Sequence, residues 1–163
     1  MRILVVGPHP DDELLGSGGS LFRWAEEGHQ LAWCLVTSQP IDSGDFQSQA
    51  RQVGQVKDLL GISEEDFYWL RFPTSELDQI PERDLTAALH SVFQAFQPEL
   101  VLAPHAHDVH GDHRRVALAV SAAAKWFRSP SIFTILEYET MSETEVASKT
   151  STTFAPNVYI DIG

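Results

Sequence analysis

Residues 3–6, Ile-Leu-Val-Val, form an unbroken apolar run in which three of the four side chains are β-branched. A strand with one wet face alternates apolar and polar residues. A run with no polar position reads as a strand covered on both faces, the signature of a parallel sheet between helical layers. Gly7-Pro8-His9-Pro10 stops this run. The spacing behind it predicts a helix over 13–27, with Leu14, Leu15, Leu21, Phe22 and Trp24 on its apolar side and Gly28 at C′. A strand follows at 31–37, a loop at 38–46, and a helix over 48–60 closed by Gly61. A short strand at 67–70 precedes a helix over 81–96, where Leu85, Leu89, Val92 and Phe93 recur at helical spacing. A second buried strand at 100–103 enters a loop over 104–112. An alanine-rich helix over 113–127, a strand at 132–138, a polar loop over 141–153 and a last strand at 158–162 complete the pattern. Strands alternating with helices of three to four turns predict an α/β, Rossmann-like three-layer fold with a mainly parallel sheet. Its active site is expected at the C-terminal ends of the strands.

The chain has 163 residues, a length that suits one domain able to bury a core without staples. Its 11 Lys+Arg stand against 23 Asp+Glu, a net charge of −12. Such a surface repels phosphate backbones and excludes nucleic acid and anionic membrane as general partners. The one cysteine, Cys34, cannot form an internal disulfide, which fits a reducing, cytoplasmic setting. No apolar run reaches the roughly 18 residues of a transmembrane helix.

Two of the expected strands end in unusual chemistry. After the first comes His9-Pro10-Asp11-Asp12-Glu13. A helix cap explains one aspartate, with Glu13 favouring the helix's positive end, but it explains neither the second aspartate nor His9. After the strand at 100–103 comes His105-Ala106-His107-Asp108-Val109-His110-Gly111-Asp112-His113, which holds four of the chain's seven histidines. A solvated loop with Asp112 as a cap needs no such concentration, whereas metal binding does. On one sheet edge, His9, Asp12 and one histidine of the second cluster make a two-His, one-carboxylate set that leaves a coordination position open, as in a catalytic zinc site. Asp11 then points elsewhere, where it can take a proton from a water whose pKa a metal lowers. A donor set without thiolate suits Zn2+, and also Fe2+ or Co2+.

Pro8-His9-Pro10-Asp11-Asp12-Glu13, followed by Gly16-Ser17-Gly18-Gly19, closely resembles the opening of the LmbE-like, or PIG-L-type, N-deacetylases. Asp108-Val109-His110-Gly111-Asp112-His113 resembles their second metal motif. The resemblance extends through Glu27-Gly28-His29 and Arg51. It implies a zinc-dependent hydrolase that removes an N-acetyl group from an N-acetylglucosamine-type sugar conjugate, and a homo-oligomer. By motif position it implies His9, Asp12 and His113 as metal ligands, Asp11 as general base, and His110 as the group that stabilises the oxyanion or protonates the leaving amine. It further implies Asp112 as the residue that orients a histidine, and Arg51 as a substrate contact. Gly54 stands where many members carry Glu, and Thr74-Ser75 where an Asp is frequent, departures that bear on the substrate. Members usually continue for some tens of residues, so residues 1–163 are expected to be a single domain lacking that segment.

Two rivals share these motifs: a metal-dependent phosphoesterase, favoured by a two-metal site, and a metal-binding protein without turnover. The remaining features have bland readings. His29 and His90 are surface residues. The glycines at 16, 18 and 19 lack the spacing of a dinucleotide loop and are expected to let the first helix pack closely. Trp24, Trp33, Trp69, Trp126 and Cys34 are expected in the core, and Glu137, Glu139, Glu143 and Glu145 on the solvated surface.

Overall fold

A computed structural model of the chain describes residues 1–141, 144 and 154–163. Five strands, β1 (Arg2–Gly7), β2 (Gln30–Ser38), β3 (Phe67–Pro73), β4 (Leu100–Pro104) and β5 (Thr134–Tyr138), alternate with four helices. The helices are α1 (Asp12–Glu26), α2 (Gly44–Leu59), α3 (Glu82–Phe96) and α4 (Gly111–Ala123). The strands form one sheet in the order β3-β2-β1-β4-β5, and every pairing is parallel. Ile3 pairs with both Leu31 and Leu100, so β1 is the central strand.

The apolar run at 3–6 is divided between two cores. Leu4 and Val6 face Leu85, Leu89 and Phe93 of α3 and Val116 and Val120 of α4. Ile3 and Val5 face Leu21 and Trp24 of α1 and Val53 of α2. Covering both faces removes any position for a polar residue, which is why the strand reads as unbroken. Cys34 is buried in β2, where burial pushes its thiol pKa far above the ordinary value. No helix among the described residues is long and apolar enough to cross a membrane.

From β1 the chain winds to β2 and β3 on one side, then returns to β4 and β5 on the other. The C-terminal ends of β1 and β4 therefore lie side by side at the switch point, where open α/β sheets bind ligands. The loops carrying His9 and the 105–113 cluster leave from those two strands.

Several sequence expectations change. The segment 158–162 is not a strand. Its alternating apolar residues pack over α1 instead: Ile160 joins the core cluster beside Trp24, and Ile162 sits against Gly19. Helix α4 ends at Ala123 rather than 127, which leaves Trp126 80% exposed and not in the core. Helix α2 begins at Gly44 because the Ser43 hydroxyl accepts the Phe46 N–H at 3.0 Å, a cap that starts it earlier than 48. The loop expected over 141–153 lies outside the described residues apart from Met141 and Thr144, as do Glu143 and Glu145.

The close packing expected of the first helix is present at Gly16, where a Cβ would lie 2.1 Å from the Tyr138 ring. Tyr138 is buried and its hydroxyl donates to the Val6 carbonyl at 2.9 Å, so the ring has nowhere to move. Gly54 in α2 meets nothing within 4 Å. Gly16→Ala should therefore lose about 1–3 kcal/mol through overpacking, while Gly54→Ala should gain up to about 1 kcal/mol through helix propensity. Urea denaturation of the two variants checks this opposition of sign.

Candidate metal centre

The turn after β1 is fixed from below. The Pro8 carbonyl accepts both the Thr37 N–H at 3.1 Å and the Thr37 hydroxyl at 2.7 Å, which ties the turn to β2. Asp11 is the N-cap residue of α1, but its side chain makes no cap bond. Asp12 turns back instead, and its Oδ2 accepts the His9 N–H at 2.8 Å. The capping reading of this acidic pair therefore fails, and both carboxylates are available for other work. Glu13 is fully buried, not at the surface of the helix start, and burial pushes its pKa up to about 8.

The second loop leaves β4, and Arg114 staples it by donating to the carbonyls of Asp108 and Val109, each at 2.6 Å. The cap of α4 is His110, whose Nδ1 accepts the Asp112 N–H at 3.1 Å. Asp112 is not the cap. Its carboxylate accepts the Ser75 N–H at 2.7 Å and the Leu77 N–H at 3.3 Å, and faces His9 Nε2 at 3.0 Å. Asp108 is the counterpart on the other side. Its Oδ1 accepts the His110 N–H at 2.9 Å and its Oδ2 faces His113 Nδ1 at 3.2 Å.

Each of two imidazoles thus has one nitrogen held by a buried aspartate, and the remaining nitrogens meet. His9 Nδ1 and His113 Nε2 are 3.3 Å apart. Asp12 spreads its two oxygens between them, Oδ2 at 3.5 Å from His9 and Oδ1 at 3.4 Å from His113. Donors at about 2.0–2.1 Å from a tetrahedral zinc lie about 3.3–3.4 Å from one another. The separation of the two imidazole nitrogens fits that requirement, and each nitrogen has a different Asp12 oxygen at a similar distance. His9, His110 and His113 form a looser set, with ring nitrogens within 4.8 Å of one another.

Charge supports the same reading. Burial favours neutral imidazoles, but Asp112 and Asp12 around His9, and Asp108 and Asp12 around His113, outweigh it and raise each pKa to about 9. Burial likewise opposes ionisation of Asp12, yet His113 and His9 hold it well below the ordinary aspartate range. Three carboxylates therefore draw cationic charge onto two imidazoles, and a dication satisfies the same field while displacing the protons. Asp11 differs from its neighbour: burial and the Asp12 charge raise its pKa.

His9, Asp11, Asp12, His110 and His113 line a pocket of about 210 Å3, together with Thr74, Ser75, Thr140 and Met141. A larger cavity of about 460 Å3 between α1, β5 and residues 154–160 holds none of them except through neighbours in sequence. Of the four clustered histidines only His110 and His113 join the site. His105 pairs with Glu137 at 2.6 Å, which takes that glutamate out of the merely solvated set, and His107 is exposed at the edge of the His105 ring. Arg51 is exposed on α2 and does not line the pocket. Asp108 has no role that the sequence motifs alone assign. Its partners are spread from position 110 to Thr144, whose hydroxyl lies 2.8 Å from its Oδ2.

The PIG-L family model, described as GlcNAc-PI de-N-acetylase, matches residues 4–124. The chain is 28% identical over 162 residues to the uncharacterized deacetylase YaiS of Escherichia coli K12, a match covering 96% of this chain and 80% of YaiS. It is 23% identical over 124 residues to the diacetylchitobiose deacetylase of Thermococcus kodakarensis, covering 69% of this chain and 45% of that protein. This chain therefore spans less than half the length of the archaeal relative. The crystal structure of the zinc-inhibited form of teicoplanin deacetylase Orf2 superposes with a TM-score of 0.76 at 17% identity, over 92% of this chain and 71% of that one, which shows the shared fold.

The two aspartates that a capping argument treats alike should separate on substitution. Asp11→Ala removes no cap bond and should change stability by less than about 0.5 kcal/mol. Asp112→Ala strands two backbone N–H groups and should cost about 1–3 kcal/mol or more. Denaturation of both variants in chelator checks this without any contribution from a metal.

Proposed function

The chain belongs to the PIG-L family, and from that membership we propose that it is a zinc-dependent deacetylase. It would remove the N-acetyl group of an N-acetylglucosamine-type sugar conjugate. The observation that carries this reading is the approach of His9 Nδ1 to His113 Nε2 at 3.3 Å, with one oxygen of Asp12 3.5 Å from the first and its other oxygen 3.4 Å from the second. These three residues would hold Zn2+, and the same donors accept Fe2+ or Co2+. A bound ion of this kind acts as a Lewis acid toward an amide carbonyl and lowers the pKa of water.

The chain's own residues divide the remaining work. Asp112 and Asp108, facing the outer nitrogens of His9 and His113, would hold both rings with their inward nitrogens toward a bound ion. Asp11, which lines the pocket without a cap bond, accepts the proton of the attacking water. The water oxygen bonds to the acetyl carbonyl carbon, the C–N bond breaks, and acetate and a free amine leave. The proton held by Asp11 goes to the amine, directly or through His110. His110 is placed over the site by its edge-on contact with the His9 ring at 4.6 Å, and it donates to the developing oxyanion or the leaving nitrogen. The pocket of about 210 Å3 suits an acetamido group with part of one ring, so the rest of the substrate extends beyond it, where Arg51 is proposed to meet it.

A two-metal phosphoesterase is disfavoured because, among the described residues, the candidate donors gather at one place: His9, His110 and His113, with Asp12 against His9 and His113. Acetate release from a panel of N-acetylglucosaminides tests the activity itself and separates turnover from binding alone. Chelation should abolish release and Zn2+ restore it, with one ion per chain by elemental analysis. Asp12→Ala and His113→Ala should lose the metal. Asp11→Asn and His110→Ala should keep it and lose most of the rate, about 10²–10⁴-fold for Asp11. Metal retained in His113→Ala and lost in His110→Ala would reverse the assignment.

A further inference from the structure

One contact ties the wall of the pocket to the far side of a candidate metal ligand. Thr144 is 3% exposed, and its hydroxyl lies 2.8 Å from Asp108 Oδ2, the oxygen that faces His113 Nδ1. The same hydroxyl oxygen accepts the Thr140 N–H at 2.9 Å, and the Thr144 N–H donates to the Thr140 carbonyl at 2.9 Å. A hydroxyl carries one proton. With the Thr140 N–H already pointing at its oxygen, that proton goes to Asp108. Asp108 is itself buried, and its other oxygen is taken by the His110 N–H at 2.9 Å. Among the described residues the carboxylate thus meets the His110 N–H, His113 Nδ1 and the Thr144 hydroxyl, and of these Thr144 comes from the chain beyond β5.

Thr140 lines the pocket beside Met141, so a continuous path runs from the pocket wall through Thr144 and Asp108 to His113. We propose that Thr144 is a positioning residue for metal binding: its hydroxyl locks Asp108 onto His113 Nδ1, so that seating of Thr140 and Thr144 and metal occupancy favour one another. This goes beyond the family's motifs, since Thr144 belongs to neither, and it rests on His113 being a metal ligand. Residues that hydrogen-bond behind a ligand typically change metal affinity 10–100-fold when removed. Linkage is reciprocal, so whatever factor the contact adds to metal affinity the metal adds to the contact.

The test uses the full chain as wild type, Thr144→Val, which keeps the shape and loses the hydroxyl, and Thr144→Ser, which keeps the hydroxyl. Zinc affinity is read by competition with a chromophoric chelator, and ligand geometry by the visible spectrum of the Co2+-loaded protein. Thr144→Val should bind zinc about 10-fold or more weaker and shift the Co2+ spectrum, while Thr144→Ser stays near wild type. In the wild type, zinc should slow hydrogen exchange at the Thr140 amide. That measurement needs no variant and stands even if Thr144→Val fails to fold. Wild-type zinc affinity in Thr144→Val, or Thr140 exchange indifferent to zinc, would overturn the coupling alone. A wild-type chain that binds no zinc would overturn the metal reading and the coupling with it.

Discussion

Asp12 is buried within 3.5 Å of two imidazoles and accepts a backbone N–H, and much of the surrounding structure serves to make that burial tolerable. A lone carboxylate in such a place would neutralise itself or unfold its surroundings. Here it is held ionised by His9 and His113, and each of those is held in turn by a second aspartate. Asp112 and Asp108 are themselves satisfied by backbone N–H groups of Ser75, Leu77 and His110. The charge is thus spread outward through hydrogen bonds until it reaches backbone that is fixed by the fold. Such a network is costly when partly satisfied and rigid when complete, which is what a site of defined geometry needs.

The sheet explains why these groups can meet at all. His9 and His113 are 104 residues apart, yet their loops leave neighbouring parallel strands that diverge beyond their ends. The core on either side of β1 holds those ends in register, and the bond from Tyr138 to Val6 closes the sheet beneath the site. The fold alone does not select a reaction. Selection comes from what each carboxyl of the Asp11-Asp12-Glu13 run is made to be. Asp12 is ionised and faces the imidazoles, Asp11 lies at the pocket with a raised pKa, and Glu13 is buried with its pKa near 8. Adjacent acids in different environments suit different tasks.

The parts of this that were legible in the sequence are those set by local pattern. The unbroken run at 3–6 forced two covered faces, and its neighbours in the sheet followed from alternation of strand and helix. That placed His9, Asp12 and a histidine of the second cluster on one edge. What was not legible depends on partners far along the chain. The family resemblance marks Asp112 as orienting a histidine, but what fixes its carboxylate beside His9 is the Ser75 and Leu77 N–H groups from the stretch after β3, which no local pattern announces. Asp108 has no local signature, since Thr144 lies 36 residues away. His105 looks like its neighbours in the cluster, but Glu137 on β5 draws it out of the site. Residues 158–162 alternate as a strand does, and an extended segment packing on α1 satisfies the same alternation without pairing.

The central claim is that one ion is held by His9 Nδ1, Asp12 and His113 Nε2, with Asp11 and His110 beside it. Anomalous diffraction at the zinc edge, from crystals of the full chain grown with Zn2+, tests this most directly. The account predicts one anomalous peak where β1 and β4 diverge, about 2.0–2.2 Å from those three donors, with Asp11 and His110 uncoordinated. A peak held by His9, His110 and His113 with Asp12 turned away, or no peak at this edge of the sheet, would contradict it.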